Sequence, residues 1–257
     1  MTVALFVLAF GLAAAPAAKD AKEKKAAPLL PKIAAFLPGE SLTYDISWSD
    51  AVRAGTAVME VRPEQLAGGR QVLRLVVTSR TVGIVDKLYP LGDTVESVFD
   101  PDILESLSYD LEERHRGRTR RLTLAFDHES NTVLRRRNED PPQTLEIPDP
   151  VQDPLSALYY LRTRQSLTVG ESVSFNVFGG SESAPVEVLI LGRERVETPA
   201  GEFSAIKLKA YKGLFMSEGE IFIWLTDDVR KIPVLIRSKL AVGSLVFTLR
   251  SMKSPEP

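Results

Sequence analysis

Cysteine is absent from the 257 residues. That absence excludes a disulfide scaffold, a thiolate nucleophile, a sulfur-ligated metal and a lipid-bearing amino-terminal Cys. Histidine is almost as scarce. His115 and His128 are the only two, which leaves little room for a histidine-built metal site or a Ser-His-Asp triad. Charge of one sign is lacking too: the formal net charge is −2, so the molecule as a whole is not an electrostatic binder of nucleic acid. The phosphate loop GxxxxGK[ST], the dinucleotide pattern GxGxxG, the hydrolase elbow GxSxG and the zinc motif HExxH are all missing. No catalytic residue, cofactor or metal is expected.

What is present suits a globular protein. A chain 44% hydrophobic and 26% charged buries a sizeable core as one large β domain or two small ones. Val3 to Ala15 form an apolar run, and Ala15-Pro16-Ala17 fits a signal-peptidase site. The run is shorter than the roughly 20 residues that cross a bilayer. Residues 1–17 therefore read as a signal peptide that leaves a mature chain without a transmembrane span, exported to the periplasm. The competing reading is a buried amino-terminal helix. Residues 18–38, with Pro28, Pro31 and Pro38 among charged and small residues, read as a tether. Leu29, Leu30, Ile33, Phe36 and Leu37 offer a second outcome, a plug folded back onto the domain.

After Gly39 the period becomes two. Leu42, Tyr44, Ile46 and Trp48 alternate with polar residues, as in a half-buried strand. Short apolar runs follow at Val58–Val61, Val72–Val77, Leu122–Phe126, Val186–Leu191, Ile206–Leu208, Ile221–Leu225, Val234–Ile236 and Leu245–Leu249. Their spacing predicts an antiparallel meander over 39–253. Gly39 to Ile46 also matches Gly170 to Val177 position by position, and the same offset lays Val82–Val85 on Gly213–Met216. The expected fold is mainly β: an antiparallel curved sheet or open barrel built from two similar halves, about 39–150 and 170–253. One short helix at about 153–163 should join them, because Asp153 is placed to cap it and Pro154 suits its first position. Leu155, Leu158 and Leu161 share its apolar face, with Tyr159 beside it.

Four elements in order carry a resemblance. They are Gly39-Glu40 with Leu42, Tyr44, Trp48 and Ala54-Gly55; the Asp153–Arg162 segment with Gly170 beyond it; Gly192-Arg193-Glu194 with Thr198 to Phe203; and Trp224 to Asp228 with Arg230 and Ile232-Pro233-Val234. Together they resemble the bacterial exported family catalogued as domain of unknown function 3108, over roughly Leu37 to Leu249. The resemblance implies an envelope location and a mostly β fold related to barrel-like envelope proteins. It brings no catalytic residues.

Four groups of side chains are candidates for function. Asp227-Asp228 with Arg230 reads as a turn, since neighbouring carboxylates on a strand face opposite ways. Asp110, Glu112 and Glu113 beside Arg114 and Arg116 read as cross-strand ion pairs. The arginines from Arg114 to Arg121 and from Arg135 to Arg137 form a basic edge suited to phosphate or carboxylate, or a solvated edge that prevents sheet aggregation. The apolar turns Val82–Val85 and Leu214–Met216 read as a greasy mouth, or as core. The expected ligand site joins Leu155, Leu158, Tyr159, Leu214 and Phe215 to Arg114, Arg116 and Arg118. It would take an amphiphilic lipid or glycan in a non-enzymatic envelope protein. An assembly factor docking on an envelope protein complex is the alternative, and a carboxylate-based glycan hydrolase the minor one.

Overall fold

The computed structural model describes residues 35–115, 117–211, 220–240, 243–253 and 255. The predicted signal peptide and most of the predicted tether lie outside them. Strand β1 (Ser41–Trp48) sets the rule for the rest: Leu42, Tyr44 and Ile46 are buried while Ser41, Thr43 and Asp45 are half-exposed. β2 (Val52–Gln65), β3 (Gln71–Thr81), β4 (Leu91–Asp100), β5 (Glu105–His115) and β6 (Arg118–Asp127) continue an antiparallel meander. A second meander runs through β10 (Ser172–Phe178), β11 (Ser183–Thr198), β12 (Gly201–Tyr211), β13 (Glu220–Thr226), β14 (Pro233–Leu240) and β15 (Gly243–Lys253). Between them lie β7 (Thr132–Arg137), β8 (Gln143–Glu146), β9 (Val151–Gln152) and helix α2 (Pro154–Thr163).

The fifteen strands of the described residues form one open sheet, joined at its middle by the antiparallel pair β1 and β15. The mainly β fold and its curved open sheet are as the alternation predicts. Tyr44 and Phe175 occupy matching places in β1 and β10, and both are buried.

The two ends of the meanders meet without a ladder. Phe178, at the end of β10, packs edge-on against Phe126 of β6 with ring centroids 6.4 Å apart. The Arg135 guanidinium of β7 donates to the Gly180 carbonyl at 2.9 Å. Gly180 has φ +102°, and a Cβ there would stand 2.6 Å from Leu122 Cδ2, so glycine alone fits this approach. β7 and β9 hold the ladder positions beside β6 and β10, which keeps the sheet open.

Helix α2 closes the end where β1 begins, here the base. Asp153 caps it, accepting from the amides of Leu155 at 2.7 Å and Ser156 at 2.9 Å, while Ser97 of β4 donates to its second oxygen at 2.5 Å. The apolar face is core: Leu155, Leu158, Tyr159 and Leu161 are all buried. At the other end of α2, Arg162 makes a two-pronged ion pair with Glu40, at 2.6 and 2.7 Å. Its guanidinium lies 5.1 Å from the centroids of both the Phe36 and Tyr159 rings.

Phe36, within the predicted tether, is 3% exposed and packs on Tyr159, so at this residue the segment takes the second outcome read for it, folded back onto the domain. Leu29, Leu30 and Ile33 fall outside the described residues. Val82–Val85, expected as a turn, belongs to a second helix, α1 (Gly83–Leu88). The Thr81 hydroxyl donates to Asp86 at 2.7 Å and accepts the Leu91 amide at 2.9 Å, which ties that helical turn to the strands on either side. Among the described residues no helix is long and apolar enough to cross a membrane.

Candidate functional site

Alternation along β6 places Arg118, Arg120, Leu122 and Leu124 on one face. Leu122 and Leu124 are buried, so the two arginines continue the inward face toward the upper end of the sheet, opposite α2. Cross-strand partners share a face. Glu113 pairs with Asp93 on one side and Arg120 on the other, and His115 pairs with Leu91 and Arg118. The inward face of β4–β6 therefore ends in two polar rows, Asp93–Glu113–Arg120 and His115–Arg118. The matching face of β11–β13 is apolar, with rows Val188–Ala210–Ile221 and Ile190–Leu208–Ile223, all buried.

Asp93 and Glu113 are each 3% exposed. His115 Nε2 lies 2.9 Å from Asp93 Oδ1, and this neighbour partly offsets the upward push of burial on the Asp93 carboxyl. Among the described residues no basic side chain forms an ion pair with Glu113. Burial and then the Asp93 charge push its carboxyl up to about 8, with Arg120 opposing. Adjacent residues part company at this point. Glu112 faces the other way and accepts from Arg121 Nε at 2.5 Å and from Arg114, so the ion-pair reading holds for Glu112 but not for Glu113.

The raised Glu113 carboxyl fixes a sign. Below about pH 4.5 the folded and unfolded chains both hold this proton. As pH rises the unfolded carboxyl ionises first, so stability falls until the folded group also ionises near pH 8. Melting curves from pH 5 to 9 should show a loss for the wild type that Glu113→Gln lacks. Parallel curves for the two proteins would contradict this.

The predicted site residues divide between the two ends. Leu155, Leu158 and Tyr159 are core at the base. Arg118 is exposed on the inward register at the upper end, and Arg114 lies on the opposite face beside Glu112. Arg116, Leu214 and Phe215 fall outside the described residues, although the flanking ends of β12 and β13 lie at the upper end. Eight residues of β5 lie between Ser106, beside Asp153, and His115, about 30 Å of strand. The structure thus does not bring Arg114 and Arg118 to the α2 residues, because strand length holds them apart. Of the residues in the two polar rows, Asp93 is not singled out by sequence; Glu113 reads there as an ion-pair partner, Arg120 as part of the basic edge, and His115 as one of the two histidines. The signal available was alternation, which sets Arg118 with Arg120 and parts Glu112 from Glu113. Asp228 forms the expected turn, accepting the Arg230 and Lys231 amides at 3.0 and 3.2 Å.

The upper end also carries exposed apolar side chains. Ile84 and Leu88 of α1 are 69% and 73% exposed. The inward arginines of β6 and the exposed apolar side chains of α1 thus share the upper end of the sheet.

Fold and site define a barrel-like β protein with an open sheet and a helix at its base. The chain belongs to the family described as protein of unknown function DUF3108, which matches residues 43–250. Among solved structures it is similar to a beta-barrel-like protein of domain of unknown function DUF1849 from Brucella abortus. That likeness has 12% identity and a TM-score of 0.58, covering 87% of this chain and all of the other. It supports the fold alone. A protein described as exported, with a YmcC-like fold, from Bacteroides fragilis matches at 13% identity and a TM-score of 0.35, over 85% of this chain and 97% of its own. At that score it carries no argument. No curated protein matches.

Proposed function

We propose that this chain is an exported, non-enzymatic envelope protein of the periplasm that binds an amphiphile with an anionic head at the upper end of its sheet. The observation that carries the reading is the inward row of Arg118 and Arg120, continuous with the interior whose other wall is apolar. The head group pairs with the exposed arginines and the hydrocarbon lies along the exposed apolar rim formed by Ile84 and Leu88 of α1. Export is supported by the apolar run ending at Ala15-Pro16-Ala17. The helix residues Leu155, Leu158 and Tyr159 serve this reading as the floor of the sheet.

The docking alternative is favoured by one observation. β8 pairs with β7 on one side, and among the described residues no strand covers its other edge. A glycan hydrolase built on Asp93 and Glu113 is disfavoured, since two carboxyls 3% exposed offer a sugar no approach.

Titration with a single-chain anionic phospholipid and its zwitterionic counterpart tests the reading. The anionic form should bind more tightly. Arg118→Gln with Arg120→Gln should weaken it by about tenfold or more, since a charge-assisted hydrogen bond contributes about 1.5 to 3 kcal/mol. Equal affinity for both heads, or no effect of the double substitution, would overturn it.

A further inference from the structure

Three side chains far apart in sequence converge at the base of the sheet. Glu105 opens β5, His128 lies just after β6, and Asp149 lies just ahead of β9. One ligand atom from each falls within 4.8 Å of the others. His128 Nδ1 is 2.9 Å from Glu105 Oε2 and 3.6 Å from Asp149 Oδ1. Ligand atoms bound about 2.1 Å from one tetrahedral ion stand about 3.4 Å apart. The two gaps bracket that spacing.

The imidazole is held in one tautomer by its other nitrogen. Nε2 lies 2.7 Å from the Ser106 carbonyl oxygen. A carbonyl only accepts, so Nε2 carries the proton. In the neutral ring Nδ1 then presents a lone pair, and it presents it to two carboxylates. Acceptors facing acceptors repel unless a positive charge stands among them. A histidine that donates one nitrogen to a backbone carbonyl and offers the other is the usual arrangement around a bound metal.

The surroundings supply little other positive charge. Arg70 is committed to Asp100, the cross-strand partner of Glu105. Among the described residues no lysine or arginine forms an ion pair with Glu105 or Asp149. Glu105 is only 8% exposed, and a carboxylate so buried needs a counter-charge. Next to it, the 2% exposed Gln152 donates to the Leu104 carbonyl at 2.7 Å, and its own Oε1 has no donor among the described residues.

We propose that Glu105, His128 and Asp149 form a binding site for a divalent transition-metal ion, of the class that accepts one imidazole and two carboxylates, such as Zn²⁺ or Mn²⁺. The scarcity of histidine argued against a histidine-built site, and one histidine completed by two carboxylates escapes that argument. The ion ties the start of β5, the turn after β6 and the segment ahead of β9. The last two lie on the stretch by which the chain leaves the first meander for α2. The site is independent of the amphiphile reading, which concerns the opposite end of the sheet.

The test uses the mature protein, stripped with a chelator and titrated with Zn²⁺ and separately with Mn²⁺ at pH 7.5. One equivalent should bind and raise the melting temperature by several degrees. With only two histidines, ring resonances assign the site: His128 should shift with Zn²⁺ and broaden with Mn²⁺ while His115 stays unchanged. His128→Gln should bind at least about tenfold more weakly. If that variant does not fold, the wild-type spectra decide alone. Unchanged His128 resonances in excess ion, with both ring nitrogens protonated, would overturn the proposal and leave an imidazolium–carboxylate pair. Binding that perturbs His115 instead would overturn it as well.

Discussion

Arg162→Ala should destabilise the protein by about 3 to 5 kcal/mol, the cost of stranding one member of a buried ion pair. Its guanidinium is fully buried and Glu40 nearly so, and the two carboxylate oxygens accept at 2.6 and 2.7 Å. The same guanidinium donates to the carbonyls of Ala35 at 2.9 Å and Arg230 at 3.1 and 3.2 Å. One side chain thus ties α2 to the segment before β1 and to the β13–β14 turn. Truncation leaves the Glu40 carboxylate buried beside carbonyls without a donor. Urea denaturation checks the cost. Adding Glu40→Gln to Arg162→Met should recover part of the loss, because no charge is then left alone. A single variant within about 1 kcal/mol of wild type would mean that water reaches the pair.

Tyr44→Ala and Phe175→Ala should cost about 3 to 5 kcal/mol each, as large-to-small changes in a packed core do. Tyr44 is 1% exposed and its hydroxyl donates to the Pro233 carbonyl at 2.7 Å, so it also holds the β14 start against β1. Phe175 is 9% exposed and stacks edge-on against Tyr160 of α2 at 5.3 Å. The prediction extends to rank: Tyr44→Ala loses a ring and a hydrogen bond, Phe175→Ala a ring alone. Equal and small losses on thermal unfolding would contradict the placement of both rings in the core.

Alternation made the apolar strands legible, and Asp153-Pro154 marked α2 to within a residue or two. β4 and β5 were harder to read for a physical reason. Their inward positions include Asp93, Ser97 and Glu113, so neither strand contains an apolar run of the kind that marks β3 or β13. The two strands least visible in sequence stand next in sheet order to β6, which carries the candidate arginines. α1 escaped because its Gly83 suggests a turn and its capping residue makes no side-chain bond; Thr81 instead holds Asp86 from the preceding strand. The Glu40–Arg162 pair spans 122 residues, and no local pattern signals a contact at that range. Counting histidines hid His128, whose significance lies in the carboxylates the fold brings to it.

Native mass spectrometry of the protein taken from the envelope fraction tests the central claim most directly. The account predicts a chain beginning near Ala18 that carries an acidic amphiphile, released by organic solvent and depleted when Arg118 and Arg120 are both changed to Gln. A chain found only in ligand-free form, or an amphiphile retained at wild-type level by the double variant, would contradict it.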